Sequence, residues 1–141
     1  KPLDLQGSIG LAQLEKIDFI DYKRREHKIR LEKLLKKYLN IRVPETIPNA
    51  DPAWFGVPII CETKEEKEAL VAHFENNKIQ TRNYFAGNIL LHPGYKHLDD
   101  ANKYPLSNKA LSHVFILGCP PFWNDKVFNY IEDVLKSWKQ K

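Results

Sequence analysis

Pro44, Pro48 and Pro52 fall within NIRVPETIPNADPAW (40–54). Each proline fixes φ and lacks an N–H, so neither a helix nor a central strand runs through that spacing. The stretch is a connector, and it divides the chain in two. Upstream, Pro2 suits the first turn of a helix. Leu5, Ile9, Ala12 or Leu14, Ile17 and Ile20 recur at helical spacing, and the pattern continues through Ile29, Leu31, Leu34, Leu35 and Tyr38. It predicts one long helix, or two in series, over residues 1–39. Gly7, Ser8, Gly10 and Ala12 lie in its first turns. A glycine costs a helix roughly 1 kcal/mol relative to alanine, so these residues point either to tight helix packing or to another backbone or ligand close by.

Downstream, residues 53–141 alternate short apolar runs with helical patterns. WFGVPIIC (54–61) reads as a strand, which Pro58 confines to an edge or marks with a bulge. Thr63 and Glu66 have capping-box spacing and open a helix carrying Ala69, Leu70, Ala72, His73 and Phe74. KIQTRNYF (78–85) is a second strand, followed by an irregular loop to residue 105. SNKALSHV (107–114) is a short helix with Ser107 as its cap, and VFILG (114–118) is a buried third strand. WNDKVFNYIEDVLKSW (123–138) is an amphipathic helix, apolar at Val127, Ile131, Val134, Leu135 and Trp138. This order predicts an α+β fold in which a small antiparallel or mixed sheet has helices packed against it.

At 141 residues the chain fits one domain. No apolar run approaches a membrane span, so no membrane partner is expected. Cys61 and Cys119 lack zinc or redox spacing and sit in apolar surroundings, which suits a reducing cytoplasm. The net charge of +4 is mild. Residues 21–37 hold eight Lys or Arg against three acids, but on a helix these spread over several faces, and no nucleic-acid motif accompanies them. A solvated helix face is expected rather than a nucleic-acid interface. His92, His97, His113, Asp99, Asp100 and Cys119 can be assembled into a metal set only on paper, since none has ligand-pair spacing. No nucleophile elbow or phosphate loop occurs, so no catalytic residue is assigned. The opening KPLDLQ shows no signal pattern and enters a helix at once, which predicts that Lys1 is an internal position of a longer protein.

TRNYFAGNILLHPGY (81–95) then carries the functional reading. Arg82 suits a bidentate grip on phosphate or carboxylate. Tyr84, Asn88, His92 and Tyr95 can hydrogen-bond hydroxyls, and Phe85 can lie against a sugar or base face. A loop leaving a strand end is a common place for such contacts. On spacing alone, the alternative is a turn at Gly87–Asn88 with Tyr84, Phe85 and Tyr95 in the core.

LDLQGSIGLAQLEKID, DPAWFGVPI, NNKIQTRNYFAGNILLHPGY and VFILGCPP, in this order, resemble the C-terminal region of the DegT/DnrJ/StrS group of nucleotide-sugar aminotransferases. The likeness is greatest to the pyridoxamine-dependent sugar 3-dehydratases, typified by CDP-4-keto-6-deoxy-D-glucose 3-dehydrase. The resemblance spans essentially the whole chain. It implies the C-terminal small domain of a fold type I pyridoxal-phosphate enzyme, preceded by a connecting helix (1–39), with the large cofactor-binding domain outside this chain. The parent would be a homodimer with active sites at the subunit interface. It would use pyridoxamine or pyridoxal 5′-phosphate on a nucleotide-diphospho-4-keto-6-deoxy sugar in lipopolysaccharide O-antigen or deoxysugar synthesis.

The family's Schiff-base lysine (histidine in the dehydratases), phosphate-cup residues and, in the CDP-sugar enzyme, iron–sulfur cysteines all lie upstream of this region. The resemblance therefore leaves room for an upstream iron–sulfur cluster, and implies that this chain neither holds the cofactor nor turns over by itself. FAGNILLHPGY departs from the aminotransferases' Y-x-P-L-H pattern and favours C3 dehydration over transamination. Arg82, Tyr84, Phe85, Gly87, Asn88, His92 and Tyr95 would form or support the sugar-nucleotide wall. A nucleotide-sugar aminotransferase and a stand-alone, non-catalytic binding domain remain the alternatives. A domain of this kind is also expected to expose apolar surface along its first helix.

Overall fold

The computed structural model describes residues 3–138. The expected helix start at Pro2 and the position of Lys1 lie outside the described residues. The upstream half forms two helices in series, α1 (Asp4–Leu14) and α2 (Ile17–Tyr38). The break at Glu15–Lys16 has no proline or glycine behind it; it falls where the chain leaves the rest of the domain. No residue of α1 is buried, whereas α2 buries His27, Leu31 and Leu35, one residue per turn on a single face. Leu3, Leu5, Ile9, Leu11, Leu14, Ile17 and Phe19 are exposed, the apolar surface anticipated along the first helix. A Cβ built on Gly7 or Gly10 meets nothing within 4 Å, so tight packing within this chain does not explain these glycines.

The connector is partly structural. Ile41 and Val43 are buried, and Arg42 between them forms an isolated antiparallel bridge with Ile60. Strand β1 (Gly56–Ile60), helix α3 (Lys64–Asn76), strand β2 (Thr81–Asn83), helix α4 (Pro105–His113), strand β3 (Val114–Gly118) and helix α5 (Asp125–Ser137) follow. The sheet is antiparallel in the order β1–β3–β2. VFILG is the central strand, as its uniform apolarity demands, and β1 is an edge strand, as Pro58 demands. The Ile60 N–H and C=O both pair outward with Arg42. Pro58, two residues earlier, faces the same outer edge, where its missing donor breaks no ladder bond.

Opposed residues of an antiparallel pair share a face. Val57 faces Leu117 and Ile59 faces Phe115, and all four are buried among Leu31 and Leu35 of α2, Leu70 and Phe74 of α3, and Phe128, Ile131 and Leu135 of α5. Three helices thus cover one face of a three-stranded sheet, the expected α+β architecture. Glycine at position 56 is required by close approach, because a Cβ there would lie 2.5 Å from Ile116 Cγ2 and 2.9 Å from the Leu117 carbonyl oxygen.

Local chemistry shifts several boundaries. Thr63 caps α3 through the Glu66 N–H, but the Glu66 carboxylate reaches back to the Glu62 N–H. Helix α4 begins at Pro105, so Ser107 lies inside it rather than capping it; proline's preset φ suits a first helical turn. The second strand begins only at Thr81, since Asn77–Ile79 are taken up in ending α3: the Lys78 N–H bonds Glu75, the Ile79 N–H bonds Phe74, and Lys78 has φ +59°.

Candidate functional site: the loop between β2 and α4

β2 delivers the chain into the loop at Tyr84. Phe85 has φ +51°, a left-handed conformation that costs a bulky L-residue about 1–3 kcal/mol. Its ring is not drawn into the core, being 67% exposed. It packs edge-on against Tyr84 (centroids 5.0 Å apart) and against Phe55 (6.4 Å) from the approach to β1, itself 59% exposed. The alternative left open by spacing, Phe85 as a core residue under a turn, is therefore not what the chain adopts; its aromatic ring faces outward.

Two residues on, Gly87 has φ +62°, and a Cβ there would lie 2.5 Å from Leu111 Cβ on α4. Asn88 is 4% exposed. Its amide N–H groups donate to Asn108 Oδ1 (2.7 Å) and the Ala101 carbonyl (3.3 Å), and its Oδ1 accepts the Leu90 N–H (3.0 Å). Asn108 donates in turn to the same Ala101 carbonyl. A buried amide so fully engaged sets the shape of the loop. It caps a 3₁₀ turn (Ile89–Leu91), after which His92 Nε2 lies 3.1 Å from the Ala86 carbonyl and folds the loop back on itself. Further on, Asp99 accepts from the Lys103 ammonium, the Asp100 N–H and the Tyr104 hydroxyl. These bonds hold its carboxyl below the usual range, the Lys103 bond contributing most.

The seven candidate residues do not converge on one cavity. Arg82 lines a cavity of about 460 Å³ beside α5, with Lys78, Leu117, Trp123, Val127 and Ile131 among its walls. Gly87 and Asn88 line a shallow groove of about 510 Å³ with Leu98, Asp99 and Tyr104. Tyr84 and Phe85 form the aromatic tip, while His92 and Tyr95 are exposed on the outer run of the loop. Sequence reasoning missed Phe55, although it lies inside the DPAWFG block. It also missed Lys67 of α3, buried and donating to Asn83 Oδ1 (2.9 Å) and the Leu111 carbonyl (2.6 Å).

The other chemistries meet ordinary structural partners. The basic run on α2 is laced with acids: Lys28 and Lys36 flank Glu32, Arg30 pairs with Asp125 and Lys37 with Glu132, the last two on α5. The Arg30 guanidinium also covers the Phe128 ring at 4.0 Å. His27 is buried, with Nδ1 2.9 Å from the Pro120 carbonyl. Both cysteines are buried free thiols, and burial pushes Cys61 up to about 12 and Cys119 up to about 11, which leaves them poor nucleophiles. Among the described residues no three His, Cys, Asp or Glu side chains gather as a metal cluster, and no helix is long and apolar enough to cross a membrane.

Residues 3–136 match the model of the DegT/DnrJ/EryC1/StrS aminotransferase family. The dTDP-4-dehydro-2,6-dideoxy-D-glucose 3-dehydratase of Saccharopolyspora spinosa is 30% identical over 145 aligned residues, covering 100% of this chain and 31% of that protein. The lipopolysaccharide biosynthesis protein RfbH of Salmonella typhimurium is 27% identical, over 93% of this chain and 31% of its own length. In three dimensions the chain resembles the Escherichia coli GDP-4-keto-6-deoxy-D-mannose-3-dehydratase, solved with bound hydrated pyridoxal phosphate. That match has a TM-score of 0.80 at 21% identity, over 96% of this chain and 36% of that one. The chain thus spans about a third of the length of the relatives it matches.

Proposed function

Since the chain belongs to the DegT/DnrJ/EryC1/StrS aminotransferase family, we propose that it is the C-terminal small domain of a cytoplasmic, dimeric, pyridoxamine-phosphate-dependent enzyme. The reaction is loss of the C3 hydroxyl from a nucleotide-linked 4-keto-6-deoxyhexose, and residues 82–95 supply part of the substrate wall. Dehydration is preferred over transamination because the relative that is 30% identical over the whole of this chain is named as a 3-dehydratase.

One observation carries the role of the loop. Phe85 is held in a left-handed conformation and presented to solvent beside Phe55, above a base made rigid by Asn88. Strain kept at an exposed aromatic serves contact rather than packing. In this reading Tyr84 and Phe85 lie against a flat face of the nucleotide sugar, Arg82 approaches its phosphates, and His92 and Tyr95 bond its hydroxyls. Gly87 and Asn88 set the wall's shape without reaching the ligand.

The described residues do not fit as the holder of the cofactor. An imine-forming lysine needs a desolvated, free amine, and Lys67, the buried lysine among them, already donates to Asn83 and Leu111. In this reading the cofactor's chemistry belongs to the part of the parent outside this chain, and the residues here bind and orient.

The test is calorimetric binding of CDP-, GDP- and dTDP-linked 4-keto-6-deoxyhexoses to the full-length protein and to its Phe85→Ala and Arg82→Met variants. Each substitution is expected to weaken binding of the preferred sugar nucleotide by about tenfold or more, as for loss of a stacked ring or a charged hydrogen bond. Unchanged affinity in both would remove the loop from the substrate site. Product analysis, a 3-deoxy sugar against an amino sugar, separates dehydration from transamination.

A further inference from the structure

Lys67 sits on a helix whose neighbouring Lys64, Glu65 and Glu68 face water, yet Lys67 itself is 7% exposed. Taking an ammonium out of water costs several kcal/mol unless its protons are satisfied. Among the described residues no carboxylate pairs with it; its partners are two neutral oxygens, Asn83 Oδ1 and the Leu111 carbonyl. Burial lowers its pKa accordingly. An apolar side chain would fill this position without that cost, so the charge is there for what it joins.

The two acceptors mark the two ends of one short segment. Asn83 is the last residue of β2 and immediately precedes Tyr84. Leu111 is the residue against which Gly87 lies, its Cβ, Cα and N at 2.5, 3.1 and 3.2 Å from a Cβ built on that glycine. Between these ends runs Tyr84–Gly87, with Phe85 at φ +51°. A strained residue keeps its conformation only where its surroundings over-determine it. The groove that Lys67 lines also contains Asn108 and Leu91, the first being the acceptor that fixes Asn88. One buried ammonium therefore ties β2, α4 and, through α4, the Asn88 network into a single frame around the aromatic tip.

We propose that Lys67 is a positioning residue: acting through Asn83 and Leu111, it holds Tyr84 and Phe85 in the conformation that meets the nucleotide sugar. This rests on residues 82–95 being a substrate wall, and the test separates the two ideas.

Lys67→Met, Lys67→Arg and Asn83→Ala are made in the full-length protein. Amide hydrogen exchange across 84–87 is measured, together with KM and kcat for the preferred 4-keto-6-deoxyhexose nucleotide. Loss of a charged, doubly bonded donor is expected to speed exchange in Lys67→Met by roughly tenfold and to raise KM by a similar factor, with kcat nearly unchanged. Arginine, which keeps the charge and the donors, recovers much of both. Should Lys67→Met fail to fold, Asn83→Ala, which removes a single acceptor, carries the same two measurements. A purely structural lysine would lower the melting temperature while leaving KM where it was, and that result overturns the proposal. Unchanged exchange in Lys67→Met overturns the clamp, and if Phe85→Ala still weakens binding, the substrate wall survives without it. Faster exchange with unmoved KM in every variant overturns the wall along with the positioning role.

Discussion

Replacing Gly87 by alanine tests the loop's foundation in one step, and its cost follows from two separate causes. The residue has φ +62°, which an L-side chain occupies at about 1–2 kcal/mol. The new Cβ would also meet Leu111 Cβ at 2.5 Å, with the Leu111 Cα and N at 3.1 and 3.2 Å. Those atoms belong to or adjoin the backbone of α4, so no rotamer change relieves the contact, and overpacking of this kind costs about 1–3 kcal/mol. Together the expected loss is about 2–5 kcal/mol, a large part of the roughly 5–15 kcal/mol typical of a domain. Urea unfolding followed by tryptophan fluorescence measures it. Gly87→Asn retains the clash but tolerates the backbone conformation better, so it should fall between wild type and Gly87→Ala. Gly94→Ala is the control: its φ lies outside the left-handed region and its Cβ meets open space, so a change within about 0.5 kcal/mol is expected. If Gly87→Ala is no worse than Gly94→Ala, the account of a loop seated on α4 is wrong.

Three further outcomes follow from charges and thiols. The Glu132 carboxyl is held down to about 2 by the Tyr38 hydroxyl and the Lys37 ammonium. A depressed acid stabilises the fold above its unfolded pKa, and the effect is lost as pH falls through about 2. Glu132→Gln should therefore melt below wild type near pH 6, with the gap closing toward pH 2; a gap constant across pH would refute the pairing. Cys61 and Cys119, raised to about 12 and about 11 by burial, should resist a disulfide reagent at pH 8 until urea exposes them. Because native thiols raised in pKa favour the protonated fold, stability should also decline as pH climbs from about 9 toward those values. Rapid labelling of the native protein would contradict their burial.

What the sequence discloses here follows the range of the interaction. VFILG, the Pro58 edge and the amphipathic α5 were legible because each is decided by its own residues: uniform apolarity, a missing donor, a helical period. The choice between one long helix and two in series, the three-residue β2 and the start of α4 were less so, since helix ends turn on a few local bonds. In the loop, spacing left Phe85 balanced between core and contact, because nothing local announces a left-handed phenylalanine. Lys67 was invisible, flanked by glutamates and lysines in a stretch that reads as a wet helix face; its partners lie 16 and 44 residues away. Phe55 was in view within DPAWFG, yet only the fold brings its ring to Phe85.

The outward-facing proline of β1 also bears on how such domains associate. A free sheet edge is a template for another chain, and here one edge has a donor missing at Pro58 and its next outward pair, on Ile60, already taken by Arg42. The opposite edge is the three-residue β2, too short to recruit a strand firmly. Continuation of the sheet from one molecule into the next is thus discouraged on both sides. Assembly is left to side chains, which can be specific about their partner in a way that a bare row of backbone amides cannot.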